Sequence, residues 1–214
     1  MLNDIKAAIF DLDGTLVDSM WVWSQIDVDY LEMKGYSMPE NLRTEISHLS
    51  FSQTAVYFKE RFKLDDSIEK IIDDWHSMAF NHYSNNVKLK LGVKDFLNYL
   101  KSYKIKIALA TSNSVPLLEA CLKHNGVYDY FDSITTTDEV SKGKDCPDVY
   151  LLAANKLGVN PKDCLVFEDI LPAVQGAKAA NMKVIAVEDD ECLDSKEDLL
   201  KYADKYIHSF EELL

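Results

Sequence analysis

Basic residues, cysteine and long apolar runs are all scarce in this chain of 214 residues. Lysine and arginine together number 23 against 36 aspartate and glutamate, for a formal charge of -13, and only Arg43 and Arg61 are arginine. Binding to a nucleic-acid polymer or an anionic membrane surface requires clustered cations that neutralise phosphates, so neither is expected as a partner. A small anionic substrate is not excluded, because a bound cation can hold it inside an acidic protein. Cys121, Cys146, Cys164 and Cys192 are widely spaced, with no C-x-x-C pair, which argues against a zinc site or a disulfide framework. Reduced thiols, mostly buried, are the expectation. No apolar stretch approaches membrane length, and Met1 to Lys6 carry no cationic segment leading into one, so a cytoplasmic protein without a signal peptide is expected. Internal repeats and linkers rich in glycine, proline or serine are also missing.

What is present is an uneven distribution of periodicities. An apolar β-type run ends at Phe10, and the next convincing strand begins near Ile105. Between them, apolar and aromatic residues recur every three or four positions over Trp21 to Lys34, Leu42 to Phe62 and Ile68 to Tyr83, which predicts amphipathic helices. All three tryptophans, Trp21, Trp23 and Trp75, fall there and with Met20 are expected to build a small core of their own. From Val93 the pattern alternates. Helices are predicted over Val93 to Tyr103, Pro116 to Asn125, Asp148 to Leu157 and Val174 to Asn181. Strands are predicted over Ile105 to Thr111, Ile134 to Thr137, Cys164 to Phe167, Val184 to Val187 and, at an edge, Lys205 to Ile207. Such alternation implies parallel strands with crossover helices on both faces, with Gly126, Gly158 and Asn181 as left-handed caps. The length suits one main domain carrying a smaller insertion.

Chemistry gathers at the strand ends. Ala7-Ala8-Ile9-Phe10 runs into Asp11-Leu12-Asp13-Gly14-Thr15, placing two carboxylates where the chain leaves the sheet and where α/β folds bind ligands. Ile107 to Ala110 runs into Thr111-Ser112-Asn113, Gly143-Lys144 precedes a predicted helix, and Leu165-Val166-Phe167 runs into Glu168-Asp169. Singly, each has an ordinary explanation as a helix cap, an Asx turn or a solvated charge. In a doubly wound sheet they converge on one crevice.

That ordered set resembles the haloacid dehalogenase superfamily of phosphohydrolases, and within it the β-phosphoglucomutase-like subfamily. The motif Asp11 to Thr15 continues into Leu16-Val17-Asp18-Ser19, and Phe167-Glu168-Asp169 stands ahead of Ala177-Lys178-Ala179-Ala180, so the resemblance spans nearly the whole chain. It implies a Rossmann-like doubly wound core formed by residues 1–15 and 91–214, with an α-helical cap over residues 16–90. It also implies Asp11 as nucleophile and Asp13 as general acid and base. Mg2+ would be held by Asp11, the Asp13 main-chain carbonyl and Asp169, with Glu168 close behind. Thr111 and Lys144 would contact phosphate oxygens, with Ser112 and Asn113 beside them. Because dehalogenases and phosphonate hydrolases of the superfamily lack the second carboxylate, Asp13 favours phosphate-ester chemistry.

The departures bear on specificity. Trp23 stands where the subfamily usually has histidine. Ser47-His48-Leu49-Ser50-Phe51 replaces a basic cap loop. Ile170 and Pro172-Ala173 replace a hydroxyl residue and a small residue with glycine. Losing the cations that would hold a second phosphate argues against a mutase. The expectation is therefore a magnesium-dependent phosphatase for a small phosphorylated metabolite such as a sugar or polyol phosphate, working as a monomer. A phosphomutase is the alternative, and a non-catalytic ligand-binding module the contrasting class. Arg43, Arg61, His48, His76, His82, His124 and His208 are expected to play no catalytic part.

Overall fold

The computed structural model describes residues 4–46, 51–190 and 196–214. Strand β1 (Ala7–Phe10) is buried along its whole length, as its uninterrupted apolar sequence requires of a strand covered on both faces. It pairs in parallel with β4 (Lys106–Thr111) on one side and β6 (Cys164–Glu168) on the other. Beyond β4 lies β5 (Ser133–Thr136); beyond β6 lie β7 (Lys183–Val187) and β8 (Lys205–Ile207), giving the parallel order β5-β4-β1-β6-β7-β8. The chain thus winds outward from β1 in one direction, then returns to β6 and winds outward in the other. The reversal opens a crevice at the carboxyl ends of β1, β4 and β6.

Helices α5 (Val93–Ser102), α6 (Val115–His124), α7 (Asp148–Leu157), α8 (Leu171–Ala179) and α9 (Lys196–Leu200) cover the sheet. Alternate residues of β1 feed two apolar clusters: Ala8 and Phe10 join Phe96, Phe167 and Phe210, whereas Ala7 and Ile9 join Val149, Val166 and Val174. This is the doubly wound α/β fold that the sequence predicts. Helix α8 starts one turn earlier than its apolar pattern, because Pro172 lies in the first turn, where its missing N–H leaves nothing unpaired. Gly126, Gly158 and Asn181 take left-handed conformations, with φ of 65°, 65° and 58°.

Between β1 and α5 the chain forms a two-stranded antiparallel ribbon, β2 (Val17–Asp18) with β3 (Lys88–Leu89), too short to show any alternation in sequence. Among the described residues a helical insertion separates the ribbon strands, with α1 (Trp21–Met33), α2 (Leu42–Ile46), α3 (Phe51–Phe62) and α4 (Ile68–Asn85). The predicted stretch Leu42 to Phe62 holds α2 and α3, and residues 47–50 between them lie outside the described residues. Tyr30, Phe58 and Trp75 form the insertion's aromatic centre, with ring centroids 5.7 and 5.0 Å from that of Trp75. These residues are not a separate core; they belong to the same apolar cluster as Phe10 and Phe167. Met20 and Trp23, expected in that core, are partly exposed instead.

Among the described residues no helix is long and apolar enough to cross a membrane. Cys121 and Cys164 are buried and Cys146 half-buried, all three as thiols; Cys192 lies outside the described residues. Burial pushes the Cys121 thiol up to about 12 and that of Cys164 up to about 11, which makes them inert.

Candidate active site

The loop leaving β1 is wound tightly. Leu16 and Val17 both donate to the Leu12 carbonyl, at 2.9 and 3.0 Å, and Gly14 donates to Val17 at 3.0 Å. Gly14 has φ of 74°, and a Cβ there would lie 2.2 Å from Asp169 Oδ2. Glycine is thus demanded both by the backbone and by the approach of a carboxylate. Asp11 follows the strand directly, its N–H donating to Phe167 at 3.0 Å, and is buried at 7% exposure.

Lys144 reaches this point from the loop before α7. Its Nζ lies 2.6 Å from Asp11 Oδ1 and also pairs with Glu168 Oε1. Gly176 makes this possible, because a Cβ on that turn of α8 would meet the Lys144 carbonyl at 2.0 Å. Tyr150 on α7 donates to Glu168 Oε1 at 2.7 Å, and Thr15 Oγ1 donates to Asp169 Oδ1 at 3.1 Å.

Asp13 is held differently. Oδ1 accepts from Ser19 Oγ at 2.6 Å and from the Tyr83 hydroxyl at 2.5 Å, while Oδ2 accepts from Asn113 Nδ2 at 2.8 Å. Burial, then the Asp13 charge, raises the Tyr83 pKa far above its ordinary value, so this phenol acts as a donor. Thr111, buried at the end of β4, accepts the Asn113 N–H at 3.0 Å on its Oγ1. The sequence reading groups Asn113 with the phosphate contacts; the structure puts its amide on Asp13.

Asp11, Asp13, Thr111, Ser112, Asn113, Lys144 and Asp169 line one cavity of about 430 Å³, and Glu168 sits fully buried behind it. Met20, Trp23, His76, Tyr83, Leu117 and Ile170 also line the cavity. His76 was expected to play no catalytic part, and Tyr83 and Leu117 carried no expected role. Among the described lining residues Lys144 is the one amine or guanidinium. Arg61 lies exposed over the Phe62 ring at 6.0 Å, away from the cavity. Ser47 to Ser50, including His48, lie outside the described residues, and the side chains of Arg43 and Phe51 are not described.

Burial dominates the electrostatics. It pushes the Glu168 carboxyl up to about 8, with Asp11 and Asp169 adding to the rise against the pull of Lys144. Burial and the Asp11 charge likewise push Asp169 up to about 7, and burial raises Asp11. Burial alone would lower the Lys144 pKa, but the charges of Asp11 and Glu168 outweigh it and hold the amine above its ordinary value. Four carboxylates against one amine repel a phosphate dianion. One oxygen each from Asp11, Glu168 and Asp169 lie within 4.8 Å of one another, and the buried Glu168 Oε2 has no hydrogen-bond partner among the described residues. An all-oxygen set with an unsatisfied buried carboxylate oxygen fits a hard divalent cation.

Thr15, Ser19, Tyr83, Tyr150 and Gly176 complete the site without having been singled out for it. Thr15 and Ser19 stand in the first motif and could have been found there; the tyrosines look like ordinary core positions of their helices.

The sequence pattern of the family described as haloacid dehalogenase-like hydrolase matches residues 8–187. A phosphorylated carbohydrates phosphatase of Thermotoga maritima is 32% identical, over 85% of this chain and 84% of its own. A bifunctional riboflavin kinase/FMN phosphatase of Arabidopsis thaliana is 32% identical over 98% of this chain, which spans only 55% of that protein. Among solved structures, a candidate β-phosphoglucomutase of Thermotoga maritima superposes with a TM-score of 0.88 at 30% identity, covering 98% of this chain and 97% of the other.

Proposed function

The chain belongs to the haloacid dehalogenase-like hydrolases, and from that premise we propose that it is a magnesium-dependent phosphatase of small phosphomonoesters working through an aspartyl-phosphate. The observation that carries this reading is the pairing of Asp11, bound to Lys144, with Asp13 in one cavity. Phosphatase relatives acting on phosphorylated carbohydrates and on FMN support the reaction class.

Asp11, Asp169 and the Asp13 carbonyl would hold the ion, with Glu168 behind. Bound there, magnesium supplies the positive charge that lets a phosphate dianion approach these carboxylates. In the first half-reaction a carboxylate oxygen of Asp11 bonds to phosphorus as the bond from phosphorus to the ester oxygen breaks, and Asp13 gives its proton to the leaving alkoxide. In the second, water attacks the same phosphorus, Asp13 takes a water proton, and the bond to Asp11 breaks to release inorganic phosphate. Lys144 stays protonated throughout and offsets charge on the transferring group.

A phosphomutase is the second reading, favoured by the solved β-phosphoglucomutase-like relative. A mutase must hold a second phosphate, and among the described lining residues only Lys144 offers a permanent positive charge. The geometry therefore supports hydrolysis. The test is phosphate release across sugar, polyol and nucleotide monophosphates, run beside an assay for isomerised sugar phosphate, with Asp11→Asn as control. Phosphate release that Asp11→Asn abolishes is expected; isomerisation without phosphate release would establish the mutase instead.

A further inference from the structure

Asp13 is the carboxylate of this site whose placement involves the helical insertion. Its three donors come from three segments: Ser19 just ahead of α1, Asn113 just past β4, and Tyr83 near the end of α4. Tyr83 lies 70 residues from Asp13 in sequence, is 1% exposed and lines the cavity beside it. Helix α4 in turn packs against α6, the helix that follows Asn113.

We propose that Tyr83 is a positioning residue for Asp13, holding the carboxyl where it reaches the leaving-group oxygen and making that placement depend on how α4 seats against α6. The proposal rests on Asp13 as the shared acid and base. A phenol has few rotatable bonds, so its hydroxyl reaches one small region, and an ångström of movement in α4 takes it out of hydrogen-bond range. The bond to a carboxylate is charge-assisted, which makes it worth more than a neutral contact. Tyr83 itself exchanges no proton: the proton that Asp13 gives to the alkoxide is replaced from water in the second half-reaction, and the phenol keeps its own. Misplacing a catalytic group by about 1 Å can cost up to about 100-fold in rate.

The experiment compares Tyr83→Phe, Asp13→Asn and the unaltered protein on 2-glycerol phosphate and on 4-nitrophenyl phosphate. The alkyl ester needs a proton on its leaving group; the nitrophenyl ester hardly does, and kcat/KM reports only the steps through the first transfer. Asp13→Asn should lose more kcat/KM on the alkyl ester than on the nitrophenyl ester. Tyr83→Phe is expected to follow in the same direction, losing about tenfold in kcat on the alkyl ester with KM within about twofold, and changing kcat/KM on the nitrophenyl ester by less than about twofold. Equal losses on both esters, or no loss on either, while Asp13→Asn still discriminates, would overturn the role of Tyr83 alone. An Asp13→Asn that treats the two esters alike would overturn the acid/base reading beneath it. Phenylalanine preserves the buried ring; if that variant does not fold, Ser19→Ala removes the other donor from the same oxygen and should show the same selectivity.

Discussion

Gly14 shows how much of this site depends on one missing methyl group. Two costs converge there, a left-handed backbone and a carboxylate 2.2 Å from where a Cβ would be, and Gly35 separates them, having φ of 82° with nothing within 4 Å. Gly35→Ala is expected to cost about 1–2 kcal/mol, the penalty of the left-handed region alone, and to leave activity unchanged. Gly14→Ala should cost at least as much in a denaturation experiment and should also displace Asp169, lowering phosphatase activity by about 100-fold or more. Equal activity in the two variants would mean that Asp169 needs no such approach. Asp11, Asp13 and Asp169 were legible in sequence because they stand where apolar strand runs end, whereas Lys144, in the polar loop Ser141 to Asp145, was legible only through the family resemblance. Tyr83 and Tyr150 were not, since a tyrosine facing inward from a helix obeys the same period as any core residue. Their partners are set by which helices the fold brings together, and no local pattern records that.

Among the elements, the two edges of the sheet use the same device. Asp132, just before β5, donates its N–H to the Ile107 carbonyl at 2.8 Å and accepts the Ile107 N–H on Oδ2 at 2.8 Å. Asp204, just before β8, does the same with Val184, at 2.8 and 2.7 Å. Each carboxylate extends a parallel ladder by one residue and pairs a buried backbone N–H that would otherwise be orphaned. Burial works to raise the Asp132 pKa, but the Ile107 N–H and Lys101 outweigh it, so the net shift is downward. A depressed folded-state pKa stabilises above the unfolded value of about 4 and loses that contribution as pH falls through the folded value. Asp132→Ala should therefore cost about 1–3 kcal/mol at pH near 7, and Asp132→Asn, which keeps an acceptor oxygen, should cost less. Urea titrations from about pH 7 to about pH 3 should show the gap between wild type and Asp132→Asn closing as the aspartate protonates. A gap unchanged across that range would remove the carboxylate charge from the account. The sequence carries the strands and most helices because their periods are long enough to read. It hides β2 and β3, which have two residues each, and the start of α8, where Pro172 resembles a breaker until its first-turn position is known.

Across the whole molecule, the insertion and the sheet share one apolar cluster, whereas the tryptophans and the carboxylates proposed to hold magnesium lie in different parts of the chain. Trp21 and Trp23 belong to α1 and Trp75 to α4, while Asp11, Glu168 and Asp169 stand at the ends of β1 and β6. Tryptophan emission therefore reports the insertion, and a cation held at the carboxylates acts on the sheet. Magnesium at about 100 times its dissociation constant should stabilise the folded state by about 2.7 kcal/mol. For a chain of this size that is about 5–10 °C in melting temperature. Because Phe10 and Phe167 of the sheet are continuous with Tyr30, Phe58 and Trp75 of the insertion, the shift should appear equally in tryptophan emission and in far-ultraviolet circular dichroism. Asp169→Asn should abolish the shift, and chelation should reverse it in the wild type. Sodium chloride at matched ionic strength should not reproduce it, since screening acts on all surface charges and not on one buried cluster. If magnesium moved the circular dichroism transition and left the tryptophan transition in place, the insertion would be melting on its own. The shared cluster would then not couple it to the site whose Asp13 its Tyr83 touches.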